Sequence, residues 1–158
     1  AAVLDLGRRI AAAIPREGPK PRLLGYLPAE GLDAGHVRFL HDFSVLNEHF
    51  FVADKDILLL EQTAAAVLAT YATAGGKSTL LVVGYPDEAR AGRAFESFSK
   101  NYMPGAKKSG PVRTEDRKWT ASAKAGNVVI VVFNADSDQF AMMQLAAVQQ
   151  LIEAASKK

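Results

Sequence analysis

Two runs, Thr79–Tyr85 and Val128–Phe133, are apolar at nearly every position. Successive side chains of a strand point to opposite faces, so a run that is apolar in both alternating sets must be covered on both sides. Such strands belong in the middle of a sheet, and this requirement constrains the fold more than any other feature of the chain. Each run is preceded by another strand pattern across a glycine turn: residues 64–72 before Ala74-Gly75-Gly76-Lys77, and residues 118–124 before Gly126-Asn127. Each run also leads into a helix. Asp87 is placed to accept from free backbone N–H groups ahead of a helix with Ala91, Phe95, Phe98 and Tyr102 on one face, ended by Pro104-Gly105. Asp136 or Ser137 caps a second helix, with Phe140, Met143, Ala147 and Leu151 on one face.

A strand–turn–strand–helix unit is therefore used twice, as a structural rather than a sequence repeat. Trp119, Ala121 and Ala123 alternate with Lys118, Thr120, Ser122 and Lys124, the pattern of a half-wet edge strand. These features predict an α+β fold with a four-stranded, mainly antiparallel sheet in a permuted ferredoxin-like arrangement. Strands 78–85 and 128–133 are expected side by side and parallel at its centre, with 64–72 and 118–124 at the edges. Both helices would cover one face. The N-terminal segment would cover the other, chiefly through residues 36–60, where Phe39, Phe43, Phe50 and Phe51 gather four of the eight phenylalanines. Within that segment we expect a short strand near 37–41, a helical turn near 44–50 and a buried run Ile57–Leu60.

Ahead of this domain, Val3, Leu6, Ile10 and Ile14 recur at helical spacing, with Arg8 and Arg9 between them and Pro15 as the stop. Residues 15–35 carry Pro15, Pro19, Pro21, Pro28, Gly18, Gly25, Gly31 and Gly35, a density that breaks regular structure. Leu23, Leu24, Tyr26 and Leu27 let this linker dock on the domain. The chain divides into an N-terminal helix and linker, 1–21, and one α+β domain, 22–158, able to exist as a monomer or weak dimer. Its start, Ala1-Ala2-Val3, reads as that of a processed protein or a piece of a longer one.

Composition removes whole classes of function. No apolar run approaches the roughly 18 residues of a membrane span. Nineteen Lys and Arg against seventeen Asp and Glu leave a net charge of +2, no global signal for nucleic acid. The absence of cysteine excludes disulfides, thiolate zinc sites, iron–sulfur clusters and cysteine nucleophiles.

Leu27-Pro28-Ala29-Glu30-Gly31-Leu32, the Phe39-containing strand, Leu46-Asn47 and the stretch Tyr71…Gly75-Gly76…Leu80-Leu81…Tyr85-Pro86 carry a resemblance. Together, over roughly residues 5–152, they resemble the C-terminal half of an uncharacterised family of bacterial proteins known only as a domain of unknown function. The resemblance implies an exported, periplasmic or extracellular protein whose N-terminal half is a related α+β unit. Helix 1–14 would then be the last helix of that preceding half. No catalytic residues come with the resemblance.

Four groups of residues invite chemistry, each beside a plainer reading. Gly75-Gly76-Lys77-Ser78 ends like a phosphate loop, but Tyr71 stands where that motif needs glycine, and a strand follows instead of a helix. A hairpin turn explains it. His36, His41 and His49 lie beside Asp42 and Glu48 and could hold a divalent metal, although their spacing matches no strong motif. Lys107, Lys108, Arg113, Arg117 and Lys118 beside Trp119 suggest a single-stranded nucleic-acid grip, diluted by Glu115 and Asp116. A solvated loop is the simpler account. Asp54, Asp56, Asp136 and Asp138 form alternating pairs; the last two suit a helix N-terminus without any catalysis. We therefore assign no catalytic, cofactor or metal residues. The leading reading is a non-catalytic binding or assembly module of an exported bacterial protein, with an unknown protein or small molecule as partner and neither nucleic acid nor a membrane span. A metal-dependent enzyme or metal-binding domain built on the His36/His41/His49 region is the alternative.

Overall fold

The two apolar runs do lie at the centre of a sheet. In a computed structural model, which describes residues 2–14, 18–60, 63–106 and 110–157, the chain forms α1 (Ala2–Ala13), β1 (Leu32–Leu40), α2 (Phe43–His49), β2 (Ala65–Thr73), β3 (Gly76–Gly84), α3 (Glu88–Tyr102), β4 (Val112–Arg113), β5 (Trp119–Ala125), β6 (Val128–Ala135) and α4 (Asp138–Ser156). A 3-10 turn, Arg22–Tyr26, precedes β1. No described helix is long and apolar enough to cross a membrane.

The sheet has six strands in the order β1-β2-β3-β6-β5-β4, and every neighbouring pair is antiparallel. This corrects the four-stranded, permuted ferredoxin-like expectation at several points. β3 and β6 are adjacent and central, but they run antiparallel, with Leu81 opposite Val131. The crossover through α3 carries the chain past one strand position into β5, and the hairpin at Gly126-Asn127 folds β6 back into the gap. β2 and β5 are not edges, because β1 pairs outside the first and the short β4 outside the second.

The helices also divide between the faces rather than sharing one. On one face, Leu68, Leu81, Val83, Val129, Val131 and Phe133 pack beneath Ala91, Ala94 and Phe98 of α3. Leu40, Leu46, Val52, Ile57, Leu58 and Leu60 join the same core. Residues 36–40 are not cover but part of β1 in the sheet itself. The chain from Leu40 to Leu60 lies on this face together with α3, not on a face free of helices, and aliphatic side chains supply most of its cover. Phe43 and Phe50 pack at its margin, whereas Phe39 and Phe51 are exposed. On the opposite face, Val67, Ala69, Tyr71, Leu80, Val82, Ile130 and Val132 are covered by α4 and by Leu23 and Tyr26 of the 3-10 turn.

β5 shows why alternation misled. Thr120, Ala121 and Ser122 are all buried. The small hydroxyl side chains lie on the α3 face, where Ser122 Oγ meets Met103 Sδ at 3.5 Å. Small polar residues tolerate burial when a partner is at hand, so a polar set need not mean a wet face.

Asp87 caps α3 by accepting from the Arg90 amide at 2.8 Å, and Ser137 caps α4 through the Phe140 amide at 3.1 Å. Near the end of β6 the pairing slips: Trp119 faces Ala135, yet Ala121 faces Val132, and Asn134 takes the left-handed conformation at φ 57°. This bulge returns Ala135 to the α4 face. Helix α1 has no buried residue, and its Val3, Leu6 and Ile10, with Ile14 just after it, are each more than half exposed.

Phe133 is fully buried, with ring centroids 4.8 Å from Phe50, 5.3 Å from Tyr102 and 6.0 Å from Phe98. Phe133→Ala is expected to lose about 3–5 kcal/mol in urea unfolding, whereas Leu6→Gln with Ile10→Gln in α1 should leave the midpoint unchanged.

Candidate functional site

The structure separates most residues singled out from the sequence. His36 Nδ1 pairs with Asp33 at 2.8 Å, and that hydrogen bond is the main reason the Asp33 carboxyl sits below its usual range. His41 Nδ1 lies 2.9 Å from the Ala64 carbonyl oxygen, with its ring edge-on to Phe39. His49 lies in the last turn of α2, whose N-terminus Asp42 caps. Among the described residues no three His, Asp or Glu side chains form a group able to hold a metal ion. The histidine-centred reading therefore lacks the geometry it needs.

Gly75-Gly76-Lys77-Ser78 closes the β2–β3 hairpin, with Thr73 opposite Gly76. Lys77 reaches toward Asp33, 3.8 Å away, and Ser78 is buried. Of the basic cluster, Lys107 and Lys108 lie outside the described residues, Arg113 and Arg117 are exposed, and Lys118 turns to Asp136. Trp119 packs partly buried on the α4 face rather than offering its ring for stacking. Asp54 is exposed. Asp56 accepts from the Leu58 amide at 3.2 Å, and partial burial raises its pKa. Asp138 lies in the first turn of α4.

Asp136 does something the sequence did not show. Its carboxylate clasps the β2–β3 hairpin: Oδ1 is 2.7 Å from Lys118 Nζ, and Oδ2 accepts from the Gly75 amide at 2.8 Å. Lys118 above all, then the nearby Thr73 hydroxyl and the Gly75 amide, hold this carboxyl down at about 2. Thr73 Oγ1 is buried without a hydrogen bond of normal geometry, so its influence is through proximity. A Cβ at Gly75 would stand 2.7 Å from Asp136 Oδ1, so a side chain there would push the carboxylate out of the clasp. The clasp anchors the start of α4 to the end of β2.

Between those two elements lies a cleft of about 290 Å³. One wall is the Pro28–Gly31 segment, a second is Tyr71-Ala72 at the end of β2, and the third is the Phe140, Met143, Gln144 and Ala147 face of α4. Tyr71 Oη donates to the Pro28 carbonyl at 2.9 Å, and the Ala72 amide donates to the Gly31 carbonyl at 2.8 Å. These bonds fasten the first wall to the second. Burial raises the Tyr71 pKa well above that of a free phenol, so the hydroxyl remains a donor. Gly31 has φ 74°, which a side chain would strain.

Gln144 lines the cleft from α4. It is only 4 % exposed and occupies the buried stripe of α4 with Ala141, Leu145, Val148 and Ile152. Its Oε1 accepts a long 3.4 Å hydrogen bond from the Ser78 hydroxyl, while its Nε2 is buried with no partner. The stripe expected from the sequence, Phe140, Met143, Ala147 and Leu151, is turned outward by comparison. Met143 is 61 % exposed, and Phe140, Met143 and Ala147 line the cleft. Sequence reading missed Gln144, although a glutamine among core positions of an apolar helix stripe was a usable signal.

No family model matches the chain, and comparisons with curated proteins and with solved structures return no match.

Two outcomes follow from these contacts. A depressed carboxylate stabilises the fold fully above the unfolded pKa of 3.8, and that contribution is lost as pH falls through about 2. Wild type should therefore exceed Asp136→Asn in urea midpoint at neutral pH, with the gap closing between about pH 4 and 2. Ser78→Ala should cost about 1 kcal/mol, since it strips Gln144 of its remaining partner, whereas Ser78→Ala with Gln144→Met should unfold at or above the wild-type midpoint because the orphaned amide is gone.

Proposed function

We propose that this chain is a non-catalytic binding module and that the cleft beside Gln144 is its ligand site. The observation that carries the reading is a concave, mostly apolar cleft of about 290 Å³ whose walls are already bonded to each other. Ligand pockets combine apolar walls with a few polar groups, as Phe140, Met143 and Ala147 are combined here with Glu30, Tyr71 and Gln144. Support also comes from the rigidity of the frame: the Asp136 clasp and the Tyr71–Pro28 bond hold two walls in place without a ligand.

The resemblance to an exported bacterial family supports an extracytoplasmic setting for such a module, and it supports an assembly role for α1. In that arrangement the exposed Val3, Leu6, Ile10 and Ile14 stripe packs against a preceding α+β half. The same helix adds nothing to the core of the domain described here, which is why binding and assembly are compatible roles for one chain.

A thermal-shift screen with aromatic fragments tests the site. Ala147→Trp, at a partly exposed helix position, fills the cleft without entering the core. Fragments that raise the melting temperature of the native chain should lose their effect on this variant while it stays folded. Hits indifferent to the plug would sink the assignment.

A further inference from the structure

We infer that the cleft takes a small organic cation, an apolar body carrying a protonated amine, with Glu30 as its counter-ion; the inference rests on the cleft being the ligand site. Among the described residues that line the cleft, Glu30 is the one charged side chain. It is exposed, and no described Lys, Arg or His side chain pairs with it. Lys77 and Lys118 are engaged by Asp33 and Asp136 instead. The backbone under Glu30 is nonetheless fixed. The Pro28 carbonyl accepts from the Tyr71 hydroxyl and the Gly31 carbonyl from the Ala72 amide, so both sides of the turn are fastened to β2. The Leu32 amide closes that turn onto the Ala29 carbonyl at 3.3 Å. A carboxylate without a cation thus stands on a pinned turn at the rim of the cleft.

A solvated glutamate on a turn needs no partner, and alone it would carry nothing. What sets Glu30 apart is the reachable apolar surface that shares the cleft with it: exposed Ala72 and Met143, and partly exposed Phe140 and Ala147. An apolar body gains by burial against these side chains, and Glu30 decides the charge it should carry. An anionic ligand would meet a like charge with no cation to offset it. A neutral one would leave the carboxylate unengaged. An ammonium group is attracted by Glu30 and also by the ring of Phe140, and the thioether of Met143 adapts to the outline of the body beside it. Water screens an ion pair at the rim, so the charge changes affinity several-fold rather than by orders of magnitude. A volume of about 290 Å³ lies at the small end of ligand sites and suits a single ring with a short amine arm.

Three probes of similar shape separate the charges: 2-phenylethylamine, 2-phenylethanol and phenylacetate. Each is titrated into the native chain at neutral pH and low salt while the Met143 and Ala147 methyl resonances are followed by NMR. The amine should move both signals and bind at least about threefold more tightly than the alcohol, with phenylacetate the weakest. In Glu30→Gln, which keeps the size of the side chain and removes its charge, amine and alcohol should bind equally. Added salt should narrow the gap between them in the native chain. An alcohol that binds as tightly as the amine, or an amine preference that survives in Glu30→Gln, would overturn the inferred class while leaving the cleft as a ligand site. If none of the probes moves either methyl signal, both the class and the cleft are wrong.

Discussion

Everything in this domain follows from the pairing of β3 with β6. Leu80, Leu81, Val82 and Val83 face Val132, Val131, Ile130 and Val129 across one antiparallel ladder, and all eight side chains are buried. A ladder of this kind has no wet side. Its backbone groups are satisfied by the neighbouring strands, but its side chains require two separate covers, one on each face. Two helices stacked on the same face would have left Leu80, Val82, Ile130 and Val132 in water. The division of α3 and α4 between the faces is the solution to that constraint.

Neither helix alone is wide enough. Both lie over the β5–β6 half of the sheet, so the β1–β3 half needs other material. Residues 40–60 supply it beside α3, and the 3-10 turn with Leu23 and Tyr26 supplies it beside α4. The Pro- and Gly-rich stretch before β1 therefore acts as cover over part of its length. The Tyr85 hydroxyl donates to the Leu58 carbonyl and ties the irregular 50–60 segment to the end of β3. Tyr71 makes the corresponding tie to Pro28 on the other face. Two buried tyrosines thus fasten two pieces of chain that lack regular hydrogen bonding of their own.

The cleft is a by-product of the same geometry. Phe140, Met143 and Ala147 of α4 stand opposite Tyr71 and Ala72 at the end of β2 and leave a cleft between them. The Asp136 clasp sets where that wall begins, because it fixes the start of α4 to the turn after β2. Gln144 lines the cleft from α4, and behind it the buried Ser78 hydroxyl donates to its Oε1. Thr120 and Ser122 are equally buried on the other side of the sheet, where Ser122 meets Met103 beside α3.

Local signals in the sequence determined the local structure. Two-sided apolarity identified β3 and β6 as central, glycine turns placed both hairpins, and Asp87 with Ser137 located the helix starts. Each of these depends on residues close together in the chain, where sterics and capping hydrogen bonds act directly. The relative direction of β3 and β6, the face taken by each helix and the extra strands β1 and β4 depended on which crossover fits the volume available, and no local pattern encodes that. The same holds for the site. Gln144 was readable as a polar residue at a core position, but its vacancy appears only when Ser78, 66 residues away, satisfies one end of the amide and nothing reaches the other. Asp136 was readable as a helix-terminal carboxylate; only the bulge at Asn134 and the approach of Gly75 and Lys118 made it a clasp. Hydrogen bonds and cavities between distant segments exist only after the chain has closed on itself, so the tertiary structure alone could decide them.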